Sequence, residues 1–311
     1  MTAVLDGAAV RAAVSPARAV DAVRDAFAAH ARGEWSMPPK VYVTNYPAGD
    51  FRAMPALGGG YALLKWITSF PGNPARGLPT VTGVVLVSDA SDGRLLAVLD
   101  AASVTALRTG AAAVLAAEVL GRPDAETAAV VGAGVNGRAA ARAFLARGRR
   151  PLLWDVDAAR AAAAAEELGA GVAPSLAAAL AADLLVTVTP GHEVLLREGT
   201  LRPGQHVSLM GADGPGKAEA EDAELRRARL YCDDWEQASH GGELAHAVEA
   251  GLVARGDVTE LGRVLVGEAD GRRGADEITL FDSTGLAIQD LAIALAALEG
   301  ADLESLPRLE L

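Results

Sequence analysis

Residues 127–157 read TAAVVGAGVNGRAAARAFLARGRRPLLWDVD, and this stretch decides the fold. Its small, apolar start at 128–131 predicts a buried strand. Three glycines follow, Gly132, Gly134 and Gly137, then an alanine-rich helix to about Arg147 and a second strand over 151–156. Gly132 permits a tight turn, Gly134 lets the main chain approach a pyrophosphate, and Gly137 lets the helix pack closely on the strand. Val135 and Asn136 lie between them where the helix begins, and the unpaired N–H groups of a helix N-terminus attract phosphate. Asp155 closes the second strand about 20 residues after the first glycine, where a carboxylate accepts from the adenosine ribose 2′-OH and repels a 2′-phosphate. NAD(H) is therefore expected, with NADP(H) less favoured. Arg149 and Arg150 are the cations near that acid in sequence that would counter the repulsion.

The chain of 311 residues is long enough for two domains of about 150 residues each, and 51% of it is apolar. Charges interrupt the long apolar runs, so no uncharged stretch reaches the ~18 residues of a membrane span. The start, MTAVLDGAAV, lacks a basic segment ahead of an apolar one, so neither signal peptide nor anchor is expected and the cytoplasm is the default location. One cysteine, Cys232, has no internal partner and reads as a buried thiol in a strand. A net charge of −12 opposes nucleic-acid binding, which needs a basic footprint. Positive charge is spelled almost wholly as arginine; among 28 basic residues only Lys40, Lys65 and Lys217 are lysines. Each lysine therefore marks a place where a compact ammonium, or one able to lose its proton, has a use.

Ahead of the dinucleotide unit, residues 1–32 carry an amphipathic helical pattern through Val20, Val23, Ala26 and Phe27, with Ser15 as N-cap and Pro16 at the first helical position. Strand-like pieces follow at 40–44, 50–55, 61–69, 80–88 and 95–100, separated by Gly- and Pro-rich turns. An alanine-rich helix over 101–120 ends at Gly121-Arg122-Pro123-Asp124, which sets the domain boundary. Beyond Asp157, helices at 158–168, 176–181 and 219–227 alternate with strands at 183–189, 206–210 and 229–232. Such alternation implies a parallel, doubly wound sheet. The expected fold is α/β, a doubly wound Rossmann sheet over 121–285 beside a β-rich domain over 1–120, with a last apolar helix from Leu286.

Strand ends in such a sheet face the ligand crevice. Thr187 and Thr189 close one strand and could meet the cofactor's ribose or nicotinamide; Asp213, in the loop GADGPGK after the next, is the acid/base candidate. Lys65 sits inside the apolar run ALLKWI, and burial lowers an ammonium pKa toward the range useful for proton transfer near neutrality. Arg52 and Lys40 are candidates to hold a substrate carboxylate, the one as a bidentate fork and the other as a point charge. Arg108, within an alanine-rich helix, is a candidate to meet cofactor or substrate. The histidines show no metal-ligand spacing, and no metal is expected.

Met54-Pro55, Lys65, Thr80, Arg108-Thr109, GAGVNG, GADGPGK and the closing STGLAIQD together resemble the ornithine cyclodeaminase/mu-crystallin family over nearly the whole chain. The resemblance implies a substrate and dimerisation domain built from the N-terminal part and completed by 286–311, with the dinucleotide domain inserted, and homodimers that join their sheets into a closed barrel-like structure. It further implies that Lys65 and Asp213 are the catalytic pair, that Arg52 and Lys40 face the substrate carboxylate, and that Thr80, Arg108, Thr109, the three glycines and Asp155 bind cofactor. In the cyclodeaminase branch an acidic residue stands two places before Met-Pro and faces the distal amine of ornithine; here that place is Arg52, as in the RxMP motif of the alanine dehydrogenase-like branch. The expected activity is an NAD(H)-dependent interconversion of a small L-amino acid and its imino or oxo acid, of the alanine dehydrogenase or cyclic ketimine reductase kind. Redox-neutral ornithine cyclodeamination is the second reading and a non-catalytic dinucleotide-dependent binding protein the third.

Overall fold

The computed structural model describes residues 1–190, 193–212, 214 and 216–310. Contacts among them divide the chain into Met1–Arg108 with Leu286–Leu311, and Thr109–Gly285.

The first unit is built on one sheet. Its strands are β1 (Thr2–Leu5), β2 (Val41–Asn45), β3 (Gly49–Gly58), β4 (Tyr61–Ser69), β5 (Val81–Asp89) and β6 (Leu95–Asp100). From β2 to β6 it is an antiparallel meander in chain order. Beyond β6 lies β1, paired parallel to it, and then the antiparallel pair of residues Arg308–Leu309. Residues directly opposite in antiparallel strands share a face, so Lys65 shares one with its partners Met54 and Val85, and Arg52 shares it with Ile67 two places along. That inner face packs against the last helix, Ala287–Gly300, which also meets the helix Pro16–Ala31. The amphipathic start resolves into three elements where one helix was expected: β1, α1 (Gly7–Ala13) and α2 (Pro16–Ala31). Ser15 caps α2, accepting from Arg18 N, and Val20, Val23, Ala26 and Phe27 are buried.

A 20-residue helix, α3 (Ala101–Leu120), follows β6, its first turn capped by the Asp100 carboxylate at 2.7 Å from Ser103 N. By length and composition alone it could cross a membrane, but most of it is buried within the protein. The boundary between units falls inside this helix, between Arg108 and Thr109, and not at the Gly121 break. Packing explains the shift. Gly110 brings α3 against residues Ala139 and Ala140, since a Cβ there would lie 2.5 Å from the Ala139 carbonyl carbon, and the Ala113 carbonyl accepts from the Ser208 hydroxyl.

The second unit is a doubly wound Rossmann fold. Its strands are β7 (Ala128–Val131), β8 (Leu152–Trp154), β9 (Gly171–Val172), β10 (Leu184–Thr187), β11 (His206–Leu209), β12 (Arg229–Cys232), β13 (Val258–Glu260) and β14 (Thr279–Asp282). All pair in parallel, in the order β13-β12-β14-β11-β10-β7-β8-β9. Every residue of β7, β10, β11 and β14 is buried, as expected of strands covered on both faces. Helices α4 (Val135–Ala146) and α5 (Ala158–Leu168) supply the first crossovers, α5 capped by Asp157 and closed by Gly169.

The helix expected over 219–227 is reduced to residues Asp222–Leu225. Glu219 instead lies in a bend and Ala220 in an isolated parallel bridge to Leu196, because the Glu219 carbonyl accepts from Leu195 N and Leu196 N and both residues' N–H groups donate to the Glu243 carboxylate.

Candidate active site

Two constellations hold the described candidate residues, one in each unit. In the first, β4 carries Lys65 with the side chain on the inner face and only 1% exposed. Its Nζ lies 2.6 Å from Oδ2 of Asp290 on the last helix, and 3.4 Å from the Thr105 hydroxyl of α3. Arg108 approaches the other carboxylate oxygen of Asp290, Nε to Oδ1, at 3.6 Å. Burial pulls the Lys65 ammonium down to about 7; attraction to Asp290 opposes that fall, and repulsion from Arg108 and Lys40 assists it. An amine so placed can both give and take a proton near neutrality.

On the same face Arg52 is mostly buried, and Asp50 accepts from its Nε at 2.7 Å and from Nη2 at 3.2 Å. Its guanidinium also lies over the Tyr42 ring, 5.4 Å from the centroid. Such a clamp fixes the direction of a guanidinium and limits its entropy loss on binding an anion. Thr80 lies at the turn between β4 and β5, its carbonyl accepting from Phe70 N. Asp50 and Asp290 were missed as site residues. Asp290 did leave a signal in the sequence, a carboxylate in the first turn of an otherwise apolar helix; Asp50 left none beyond its place two residues before an arginine.

In the second unit the glycine turn has the form a dinucleotide needs. Gly132 has φ 105°, and a Cβ on Gly137 would lie 1.7 Å from the Gly132 carbonyl oxygen. Nothing lies within 4 Å of a Cβ on Gly134, which is exposed and begins α4 with no side-chain cap, beside exposed Val135 and partly exposed Asn136. Open helix N–H groups behind a glycine cradle suit a pyrophosphate, so the residues present fit NAD(H).

Asp155 ends the next strand, only 7% exposed, with Oδ2 accepting from Ala133 N at 2.8 Å and Oδ1 from Asp157 N at 2.9 Å. The carboxylate thus also fixes the turn it was expected to serve. Arg149 and Arg150 are not its neighbours: they donate to carbonyls at 125, 169 and 170, toward the start of the strand. The cation beside Asp155 is Arg160, at 3.3 Å, placed there by the first turn of α5.

Thr187 and Thr189 stand at the end of β10, and both hydroxyls donate to Glu219, at 2.7 and 2.6 Å. Glu219 also accepts from Thr189 N and from Gly211 N beyond β11, so one fully buried carboxylate ties two adjacent strand ends. Burial raises its pKa, against the pull of those four hydrogen bonds. Glu219 is a further residue that sequence reasoning missed, hidden in a run read as a helix. Thr109 is buried. Asp213 lies outside the described residues. Cys232 is buried and its thiol pushed well up by burial, and among the described residues no group of three or more His, Cys, Asp or Glu is arranged to hold a metal ion.

Known proteins share this architecture over its full length. The model of the ornithine cyclodeaminase/mu-crystallin family matches residues 1–302. Alanine dehydrogenase of Archaeoglobus fulgidus is 40% identical over 314 aligned residues, which cover 96% of this chain and 95% of that one. Among solved structures, an archaeal alanine dehydrogenase dimer with bound NAD superposes with a TM-score of 0.94 at 39% identity, covering 99% of each chain. A Δ1-pyrroline-2-carboxylate reductase of Thermococcus litoralis, in complex with NADH and L-proline, superposes with a TM-score of 0.92 at 26% identity, covering 99% of this chain and 100% of that one.

Proposed function

The chain belongs to the ornithine cyclodeaminase/mu-crystallin family, and from that premise we propose an NAD(H)-dependent oxidoreductase that interconverts a small L-amino acid and its imino or oxo acid. One observation carries the reading: a buried lysine, poised near neutrality, shares a sheet face with an arginine whose direction is fixed by Asp50. Arg52 and Lys40 hold the substrate carboxylate. Lys65 moves the proton at the substrate nitrogen or at the water that joins and leaves the carbon, with Asp213 as the second acid/base group. NAD(H), when bound, supplies or takes up the hydride. Gly132, Gly134, Val135, Asn136 and Gly137 hold its pyrophosphate, Asp155 its adenosine ribose, and Thr80, Arg108, Thr109, Thr187 and Thr189 complete the cofactor's surroundings. A guanidinium at position 52 suits a carboxylate and repels a distal ammonium, which favours net redox chemistry over cyclodeamination of ornithine. The enzyme works as a cytoplasmic homodimer.

The test is NADH absorbance with purified protein, against pyruvate plus ammonia and separately against a pyrroline carboxylate, with ornithine plus NAD assayed for proline. Net NADH consumption with either of the first two is the expected outcome. Proline formed from ornithine with no net change in NADH would replace this reading by cyclodeamination.

A further inference from the structure

We propose that Asp290 is the positioning residue that fixes the Lys65 amine and sets its charge, with Arg108 acting against it through the same carboxylate. This deepens the reading of Lys65 as the proton-transfer group and rests on it. The helix that carries Asp290 is otherwise apolar along its buried length apart from Gln289, whose side-chain oxygen accepts from Leu286 N and so closes the helix start. Asp290 has no such capping duty. It is 0% exposed, and no backbone N–H or hydroxyl among the described residues donates to either of its oxygens. A buried carboxylate in that condition is costly unless cations offset it. Two do: Lys65 at 2.6 Å on one oxygen and Arg108 at 3.6 Å on the other.

The charged and polar groups that bear on Lys65 come from three places. Asp290 comes from the last helix, Arg108 and Thr105 from α3, and Lys40 from the residue before β2. Two cations on one carboxylate compete for it, and Lys40 adds its repulsion to Lys65. Asp290 holds the proton on Lys65; Arg108 competes for the same carboxylate and pushes the proton off. Removing either partner should therefore move Lys65 in opposite directions. A purely structural contact, one that only packs the helix on the sheet, has no reason to give shifts of opposite sign.

The chain is suited to a direct measurement because it has only three lysines. With [13C]lysine-labelled full-length protein, three side-chain Cε resonances are followed against pH, and Lys65→Met identifies the Lys65 signal. Asp290→Asn is expected to lower the Lys65 midpoint by about one pH unit or more, a tenfold change in proton affinity, and Arg108→Met to raise it. An unchanged midpoint in Asp290→Asn would overturn the proposal. Where Asp290→Asn fails to fold, Arg108→Met decides alone, and a midpoint that stays or falls overturns it. The pH profile of kcat/KM is then set beside the NMR midpoint. A profile that moves with the midpoint supports both assignments; a midpoint that moves while the profile stays fixed upholds the control by Asp290 and removes Lys65 from the reaction.

Discussion

At the scale of single residues, the proposed chemistry turns on one amine and one carboxylate. Burial brings Lys65 to about 7, so its two protonation states exchange near neutrality. The sign follows from the role. In the reductive direction Lys65 must carry the proton it gives, so kcat/KM should fall about tenfold per pH unit above ~7; in the oxidative direction it must be neutral, and the fall should lie below ~7. Lys65→Met should remove these limbs and turnover together while leaving NADH affinity nearly intact, as titration by fluorescence would show. Asp155 holds Ala133 N, and in the proposed binding mode it also faces the ribose, so loss of NADH affinity alone would not separate the two. The ratio does. Asp155→Ser should weaken NADH roughly tenfold or more relative to NADPH, because turn damage lowers both affinities and only the ribose contact distinguishes them. Arg160, 3.3 Å away, adds to the swing by meeting a 2′-phosphate once the acid is gone; equal losses for the two cofactors would refute the ribose assignment. Lys65 could be picked out from sequence because lysine is rare here and the run around it is apolar. Asp290 could not be paired with it, since the two are brought together only by the packing of the last helix on the sheet.

Elements whose pattern is local were legible, and elements defined by partners were not. Strand β4, helix α3 and helix α5 lie where periodicity, caps and breaks put them. Strand β1 and the pair at Arg308–Leu309 are too short to show alternation, and they become strands only by hydrogen bonding to a sheet that is otherwise complete. The segment at Glu219 is the instructive failure. Its polar, alanine-rich sequence has helical character, yet the side chain accepts four hydrogen bonds from Thr187, Thr189 and Gly211, and the backbone there is not helical. Tertiary bonding outweighs propensity there, because propensity differs by only about 0.7 kcal/mol per residue among ordinary side chains. Glu219→Ala would leave buried donors at both strand ends, each costing about 1–3 kcal/mol. It should lower the melting temperature by several degrees and raise KM for NADH, since the strand ends it ties border the cofactor crevice. An unchanged melting temperature would show that water or a neighbouring group replaces the carboxylate.

For the molecule as a whole, the outer face of the first sheet is the outstanding feature. An antiparallel sheet with one face on its core normally turns polar side chains to water on the other. Here the registers that put Lys65 and Arg52 inward put Phe51, Leu57, Leu64, Trp66 and Val84 outward, where Leu57 is half exposed and Leu64, Trp66 and Val84 more than a third exposed. Val41 and Val43 of the edge strand join them, opposite Ala53 and Phe51. Alternation within one strand suggests a two-faced sheet but cannot say which face meets the core. The packing of the last helix over Lys65 makes its face the inner one. A contiguous apolar face of this kind marks an interaction surface, and the family resemblance points to a second copy of the same chain. Specific interfaces bury about 1,200–2,000 Å² in total, and the centre of such a patch carries most of the energy. Trp66, stacked on Phe51 at 5.7 Å, sits near that centre. Trp66→Glu should therefore shift the protein from dimer to monomer in sedimentation velocity while its circular dichroism stays native, because the side chain points away from the core that holds the unit together. A dimer that survives the substitution would place the interface elsewhere and leave this face in need of another partner.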